Sequence, residues 1–413
     1  MFHSSKFQPK LNPCYNGVDG IQIDRAQDLR ASVAMNRVKV KELGTTDSVC
    51  WKSGIPSNTI TLRQLEYGEM DTWQALACTT PADDAILATD YKSDALSDIS
   101  VYLTDDNDVF KGTLWYQKLR VSSYSLNIGD PDALIERNFN LVNEDEVIFQ
   151  NDNKYVIYAE FTASGDTSQS FTLGAGSYDT YPIAVEDADN SGSYFLRCYR
   201  YRSSDSTNTI VVEGTDFTYN SSTGEVSIVD GSVSTSDVWT FVYTAGTYLS
   251  GTDPFTSNTG DLCAIKADEC TIYLRTSTTV SKLQSVSFDV NFDRLDIKEI
   301  GTTDVVAYGA KDITTSVSLG TIVETWTIDE AMRDKIGDSY GILDVREYSD
   351  DMNIIVKIYS DNAKGTFKMG YRLNNLSPTS IDDGDAVDDY ETRNITLEGD
   401  HCLITSNETT LDA

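Results

Sequence analysis

The side chains that most often carry catalysis are scarce in this chain. Among its 413 residues there are only two histidines, His3 and His401. Most hydrolytic triads, metal hydrolases and general-base sites depend on histidine. His3 lies next to the start of the chain, and His401 follows Glu398-Gly399-Asp400, a sequence typical of a turn between strands. Neither histidine is therefore predicted to be catalytic, and the chain is not expected to be an enzyme.

The other groups with chemical potential do not form a recognisable site either. The closest of the seven cysteines, Cys263 and Cys270, lack the spacing of a zinc or redox motif, so buried free thiols are predicted. The acidic segment Asp382-Asp383-Gly384-Asp385 lacks the spacing and closing glutamate of an EF-hand and is predicted to be a loop. No phosphate-binding glycine loop is present. We therefore expect no catalytic residue, no metal and no cofactor.

The negative charge of the chain argues against nucleic acids and anionic membranes as binding partners. The chain has 65 acidic and 32 basic residues, a net charge of −33, and the acids are spread along its whole length. Binding to nucleic-acid phosphates or to anionic membranes needs a surplus of lysine and arginine. No apolar run approaches the roughly 20 residues of a membrane span, and the first residues lack the pattern of a secretion signal. We expect synthesis in a cytoplasm and no membrane partner.

The hydrophobic pattern predicts a mainly β protein. Val286, Phe288, Val290 and Phe292 alternate with Ser287, Asp289, Asn291 and Asp293, as in a half-buried strand. Similar alternation covers residues 29–35, 60–62, 317–319 and 354–358, with Gly, Asn and Asp turns at short intervals. Two short helices are predicted, at 71–77 and 329–337.

An internal duplication is the strongest sequence signal. Residues 40–49 match residues 297–306 with seven identities in ten, at an offset of 257. Residues 25–37 align with 282–294 at the same offset, 111–114 match 364–367 at 253, and 137–141 match 393–397 at 256. Order and spacing persist over about 125 residues, which predicts one β domain used twice. The Lys-Gly-Thr sequences at 111–113 and 364–366 are predicted to be hairpin turns in both copies.

Residues between the copies match neither of them. Their short strands and Ser/Asn/Gly turns predict a separate β-sandwich module. The predicted domains are 18–152 for copy 1, 153–250 for an immunoglobulin-like sandwich, and 258–410 for copy 2. The fold class is mainly β, with two tandem sandwich or barrel domains that each carry one helix.

Two copies in one chain favour an assembly role. Tandem copies let one chain occupy two quasi-equivalent positions of a closed ring, so an even-fold ring needs half as many chains. Open sheet edges in each copy could then be closed by neighbouring chains.

The repeated unit resembles the tail tube domain of tailed bacteriophages and archaeal viruses. The likeness lies in an amphipathic strand leading into Val/Ile-Lys-Glu-Leu/Ile-Gly-Thr-Thr-Asp, a second Ser/Thr-alternating strand, one helix and a late strand pair, over residues 20–152 and 262–408. In some long non-contractile tails two such domains are fused, and three chains make a ring of pseudo-six-fold symmetry. An extra immunoglobulin-like domain is familiar in the family, although here it lies between the copies.

This resemblance implies a major tail tube subunit that forms stacked trimeric rings, the conduit for genome delivery. Implied partners are the chain itself, a tape-measure protein, a tail terminator and tail-tip proteins, with DNA sliding through unbound; the protein would assemble in the host cytoplasm and reside in the virion tail. A negative lumen repels phosphates. Candidate lumen residues are Ser32, Asn36, Asp289, Asn291 and Asp293, although these could equally face outward. Candidate ring–ring contacts, or else ordinary strand connections, are Gly44, Thr45, Thr46, Asp47, Gly301, Thr302, Thr303 and Asp304.

Two other functions remain open from the sequence. A secreted or surface adhesin or glycan-binding protein would use the tandem copies for avidity. A polysaccharide hydrolase would use a carboxylate pair, which needs no histidine, but 65 acids produce close pairs by chance. The missing secretion signal weighs against both.

Overall fold

The structure is a computed structural model of the chain. It describes residues 8–14, 21–34, 37–41, 48–53, 57–78, 84–91, 95–104, 109–130, 132–143, 148–150, 154–173, 184, 194–202, 204, 207–229, 231, 233–245, 263–275, 278–279, 283–298, 305–322, 328, 332, 351–384 and 392–412.

The strands, numbered in chain order, are β1 Gln8–Cys14, β2 Ile21–Gln22, β3 Ala26–Ala34, β4 Arg37–Lys41, β5 Ser48–Ser53, β6 Ser57–Leu65, β7 Ala85–Leu87, β8 Leu96–Thr104, β9 Phe110–Ile128, β10 Glu136–Asn143, β11 Ile148–Gln150, β12 Tyr155–Thr162, β13 Ser170–Thr172, β14 Phe195–Arg202, β15 Thr207–Ile210, β16 Phe217–Asn220, β17 Glu225–Ile228, β18 Val238–Ala245, β19 Cys270–Leu274, β20 Thr278–Thr279, β21 Leu283–Lys298, β22 Val305–Ile322, β23 Met352–Tyr359, β24 Phe367–Gly384, β25 Thr392–Gly399 and β26 His401–Thr405. The helices are α1 Asp71–Ala77 and α2 Glu408–Asp412, and single 3₁₀ turns cover Ala88–Asp90 and Ala267–Glu269.

The chain is mainly β with large antiparallel sheets, as the alternating pattern predicts. By contacts it divides into two compact units. Unit 1 comprises Met1–Ile23, Leu96–Leu119 and Glu146–Thr259; unit 2 comprises Asp24–Ala95, Arg120–Asp145 and Gly260–Ala413. The domain boundaries drawn from the sequence, which follow the duplication, stay predictions.

The strand pairings repeat between the two copies. In copy 1, β1 pairs with β2 and β8, β9 pairs with β8, β10 and β11, and β6 pairs with β3 and β10. In copy 2, β19 pairs with β20 and β23, β24 pairs with β23, β25 and β26, and β22 pairs with β21 and β25. Seven pairings recur in the same chain order, so the two copies share one topology.

Several details of the sequence interpretation change. The acidic segment that begins at Asp382 was predicted to be a loop, but Asp382, Asp383 and Gly384 form the end of strand β24. The prediction of buried free thiols was wrong for Cys50 and Cys263, which are exposed. Lys111, Gly112 and Thr113 lie inside β9, whereas Lys364–Thr366 lie in the turn before β24, so the prediction of a turn in both copies was wrong for copy 1. Strands β9 and β24 instead align at an offset of 257 residues. At that offset Lys118 corresponds to Asn375, and both have a left-handed backbone, with φ of 46° and 55°. The helix predicted at 71–77 is confirmed, and the one at 329–337 lies almost wholly outside the described residues.

The predicted module between the copies is a two-sheet sandwich. Sheet β12-β18-β14-β15 faces sheet β13-β17-β16 across a core that includes Phe161, Phe171, Phe217, Trp239 and Phe241.

Within unit 1 the module is anchored on β8 and β9 by a buried polar cluster. The Asp98 carboxylate, fully buried, pairs with Arg197 and accepts hydrogen bonds from the Tyr158 hydroxyl and from the Lys118 backbone N–H. The Trp115 indole donates to the Tyr158 oxygen at 2.6 Å. Because the buried charge is paired and hydrogen-bonded, the cluster holds the module in one orientation within its unit.

Candidate assembly surfaces

The two copies merge into one eight-stranded antiparallel sheet within unit 2. Its order is β3-β6-β10-β9 from copy 1 followed by β21-β22-β25-β24 from copy 2. In the order of the sheet, β9 is the outermost strand of copy 1 and β21 is the outermost strand of copy 2. These two strands pair over six residue pairs, from Val286↔Ile128 to Asn291↔Ser123. The sheet of one copy thus continues directly into the sheet of the other. We call this β9–β21 junction the seam.

The sheet has one apolar face and one polar face. The apolar face carries buried side chains from all the central strands: Ile60, Leu62, Tyr124, Leu126, Phe139, Leu141, Val286, Phe288, Val290, Val317, Leu319, Ile395 and Leu397. The opposite face is Ser, Thr and Asn with a few charges: Arg30, Thr61, Arg63, Ser123, Ser125, Asn127, Glu136, Asn138, Asn140, Ser287, Asp289, Asn291, Ser316, Ser318, Thr396, Glu398, Ser380 and Asp382. This alternation is typical of a sheet with one solvated side.

Rows of paired residues across the sheet show the same stagger in both copies. In copy 1 one row on the polar face follows Asp28, Arg63, Asn138, Ser125 and Asp289. In copy 2 the row of counterparts follows Ser285, Gly320, Asn394 and Asp382. Asp289 is the counterpart of Ser32, four residues beyond Asp28 on its strand. Across copy 1 and the seam, the register therefore shifts by four residues.

A polar pair marks the seam on the polar face. Asp289 lies opposite Ser125. Partial burial raises the pKa of Asp289 above its ordinary value, and a hydrogen bond from Ser125 opposes that rise. A hydroxyl thus solvates the carboxylate where the two copies meet.

Beside the seam, a buried ionic network joins the two copies on the apolar side of the sheet. Arg137 from copy 1 pairs with Glu66 at 3.4 Å, and both side chains are fully buried. The Tyr371 hydroxyl, from copy 2, donates to the same carboxylate at 2.7 Å. Burial alone would lower the pKa of Arg137, but Glu66 and the neighbouring tyrosines outweigh it and raise that pKa. The network is fully buried and shared between the copies.

Aromatic rings complete the seam. Trp73 of helix α1 lies edge-on to Tyr124 and Phe139 at 4.9 and 4.6 Å, and within 5.9 Å of Tyr371 in copy 2. Phe292 in copy 2 lies 5.7 Å from Tyr124. Such ring contacts stabilise the packing beyond what the burial of each ring's apolar area contributes.

Gly68 allows the close approach of the copies. Its φ is +79°, and a Cβ there would lie 2.8 Å from Lys368 Cβ and 3.2 Å from Ile265 Cδ1, both in copy 2. Its backbone N–H donates to Glu66 at 2.8 Å.

We expect Gly68→Ala to lower the free energy of unfolding by about 2–4 kcal/mol, because backbone strain and a side-chain clash add. Gly214→Ala is the matched control: φ is +84° but nothing lies within 4 Å, so about 1 kcal/mol is expected. Chemical denaturation followed by circular dichroism compares them. Equal losses would show that the copies do not pack at Gly68.

The sheet has two open edges among the described residues. β3 pairs with β6 alone, and Ser380–Gly384 of β24 pair with β25 alone. Exposed side chains include Arg30, Ser32 and Val33 on β3, and Asp382 and Asp383 on β24. Unpaired edges of this length invite pairing with another chain.

The candidate lumen residues fall on or beside the polar face. Ser32, Asp289 and Asn291 lie on it, and Asp293 is exposed at a bulge next to it. Asn36 lies outside the described residues. All eight candidate ring–ring residues, Gly44–Asp47 and Gly301–Asp304, also lie outside them. Their roles stay predictions.

Sequence reasoning missed the seam network. Arg137 belongs to one of the repeated blocks, yet its partner Glu66, and Tyr371, which donates to the same carboxylate, lie far from it along the chain and outside any motif. Among the described residues no group of three or more potential metal ligands exists, and no helix is long and apolar enough to cross a membrane.

Two solved structures are similar to part of this chain. The tube-terminating cap of the anti-feeding prophage aligns with 37% of this chain and 97% of its own, at 15% identity and a TM-score of 0.28. The sheath–tube complex of an extracellular contractile injection system, in its extended state, contributes a chain aligned over 35% of this one and 92% of its own, at 17% identity and a TM-score of 0.26. No family model and no curated protein matches.

Proposed function

We propose that this chain is a structural, non-enzymatic tube subunit, whose sheet continues from chain to chain through the same junction that joins its two copies. The seam carries the proposal. In the seam, β9 of copy 1 binds β21 of copy 2, and the chain leaves the counterparts of these two strands, β24 and β3, open. A head-to-tail contact of this kind makes closed rings when its rotation closes.

The seam also gives the register between chains. Through the offset of 257, Asp289↔Ser125 becomes Ser32 opposite Asp382 of the neighbour, and Val290↔Tyr124 becomes Val33 opposite Ile381. The aspartate–serine pair is kept with its members exchanged, and the apolar pair stays apolar. Complementary pairs at matching positions favour this register over its neighbours.

The stagger suits a closed barrel. Four residues at about 3.3 Å each, set against four strands about 4.8 Å apart, give a strand tilt of about 35°. Closed barrels have tilts of about 35–45°. Three chains would supply 24 strands, enclosing a barrel about 45 Å across between backbones.

The polar face then suits the lining of a conduit. Ser, Thr and Asn hold water, and the excess of acids over bases repels phosphate. The finer assignment belongs to the same proposal: a major tube subunit of a long, non-contractile viral tail, working with tape-measure, terminator and tip proteins. It rests on the resemblance of the repeated unit and on the charge.

The test is assembly of the purified full chain. Mass photometry is expected to show particles of three chains, and negative-stain microscopy at high concentration rings or tubes with a central bore. Monomers at every concentration would contradict the proposal and favour the adhesin.

A further inference from the structure

Each copy carries a projecting hairpin, and the two hairpins have the same register. In copy 1 it is β4–β5, with Val38↔Lys52, Lys39↔Trp51 and Val40↔Cys50 paired. In copy 2 the ends of β21 and β22 pair as Leu295↔Gly309, Asp296↔Tyr308 and Ile297↔Ala307, each 257 residues later. We call the described strand pairs arm 1, residues 37–41 with 48–53, and arm 2, residues 294–298 with 305–310.

The two arms differ in charge. Strands β4 and β5 contain four basic and no acidic residues, Arg37, Lys39, Lys41 and Lys52. At the counterpart positions of arm 2, Lys39 is replaced by Asp296 and Lys52 by Gly309. With Glu42 and Asp47 between the two strands, residues 37–53 carry a net charge of +2, which makes this segment basic in a chain with a net charge of −33.

Arm 1 also exposes apolar surface. Trp51 is 60% exposed and Val38 65%, and the Lys39 ammonium lies 5.6 Å from the centre of the Trp51 ring. Tryptophan flanked by cations is the composition of an interface anchor.

The opposite end of the sheet is acidic. β6 begins next to arm 1 and ends at Leu65, which pairs with Glu136 at the start of β10, so the β9–β10 turn lies at the end distal to the arms. Asp130 and Asp132 are exposed in that turn. Residues 266–269 pack against the same turn through the Leu134↔Lys266 bridge and expose both Lys266 and Asp268. The turn and this segment together expose three acids and one base.

A cavity opens beside this acidic end. It measures about 270 Å³ and is lined by residues of both copies, among them Ile128, Gly129, Ala267, Ile272, Leu283 and Lys364. It has the size for one aromatic side chain. Each chain offers one exposed tryptophan on arm 1 and one such cavity at its seam.

We propose that arm 1 binds a second copy of this chain in the next ring, at its acidic end, with Trp51 entering the cavity beside Gly129. The inference rests on the proposed function, because strands that run along a barrel place the arms at one end of a ring and the β9–β10 turns at the other. Head-to-tail stacking then sets basic arms against acidic turns. Arm 2, lacking the excess of positive charge, contributes less, so stacking distinguishes copy 1 from copy 2.

Charge reversal and restoration test the contact. Lys39→Asp with Lys52→Asp is expected to raise the protein concentration needed for stacking about tenfold or more, because all arms of a ring weaken together. Adding Asp130→Lys and Asp132→Lys is expected to bring the concentration needed for stacking most of the way back to the wild-type value. The matched control Asp296→Lys in arm 2 is expected to change that concentration by less than about threefold. Trp51→Ala is expected to weaken stacking in the same direction as the charge reversal.

Ring mass and tube length are measured separately. Rings of normal mass that stack at the wild-type concentration in the reversed variant, or no restoration by the lysines in the β9–β10 turn, would overturn the inference. So would wild-type stacking by Trp51→Ala. Absence of rings in the wild type would instead contradict the proposed function.

Discussion

Methionine in place of Arg137 is expected to lower the free energy of unfolding by about 3–5 kcal/mol. The substitution removes one member of a fully buried ion pair and leaves Glu66 charged in a dry site, with only Tyr371 and backbone N–H groups as donors. Chemical denaturation of the full chain, monitored by circular dichroism, measures the change.

The double variant Glu66→Gln with Arg137→Met is the control. It leaves no unpaired charge, so a smaller loss is expected than for Arg137→Met alone. A loss below about 1 kcal/mol for the single variant would mean that Glu66 reaches water, contrary to the buried network across the seam.

Lysine in place of Val33 is expected to abolish ring formation while leaving the chain folded. Val33 is 39% exposed on the open edge β3, so a lysine there costs the isolated chain little. In the assembled ring the ammonium would be buried opposite Ile381, which should weaken each junction at least about a hundredfold. Mass photometry across a concentration series measures the loss.

Ser32→Lys provides the matched comparison. It adds the same charge on the neighbouring residue, but towards the polar face and next to Asp382 of the adjoining chain. Rings are expected to persist. If both variants assemble equally well, or both fail, β3 does not form the proposed junction.

The sequence was enough for the fold class and the duplication. Period-two alternation predicted β3, β6, β21, β22 and β23, because a half-buried strand exposes every second side chain. The matched blocks predicted a repeated topology, and the pairings confirm it. The offset of 257 holds through the seam strands because both copies keep the same bulges and left-handed residues, at Lys118 and Asn375.

The short sequence match between Lys111–Thr113 and Lys364–Thr366 gave the wrong alignment of the two copies. The strands that contain or follow these residues, β9 and β24, begin at Phe110 and Phe367, which are 257 residues apart. Tertiary pairing thus overrides a short motif. The seam was invisible for a related reason, since Glu66, Arg137 and Tyr371 meet only through folding and carry no spacing signal.

A disulfide across the proposed junction tests the central claim most directly. Cysteines replace Ser32 and Asp382 in a chain whose exposed Cys50 and Cys263 are changed to serine. Directly opposed residues on antiparallel strands lie within the Cα separation that a disulfide spans. Oxidation is expected to give covalent trimers on denaturing gels, while Asp28→Cys with Asp382→Cys, four residues out of register, gives none. Trimers from the shifted pair, or no intermolecular disulfide from the aligned pair, would contradict the account.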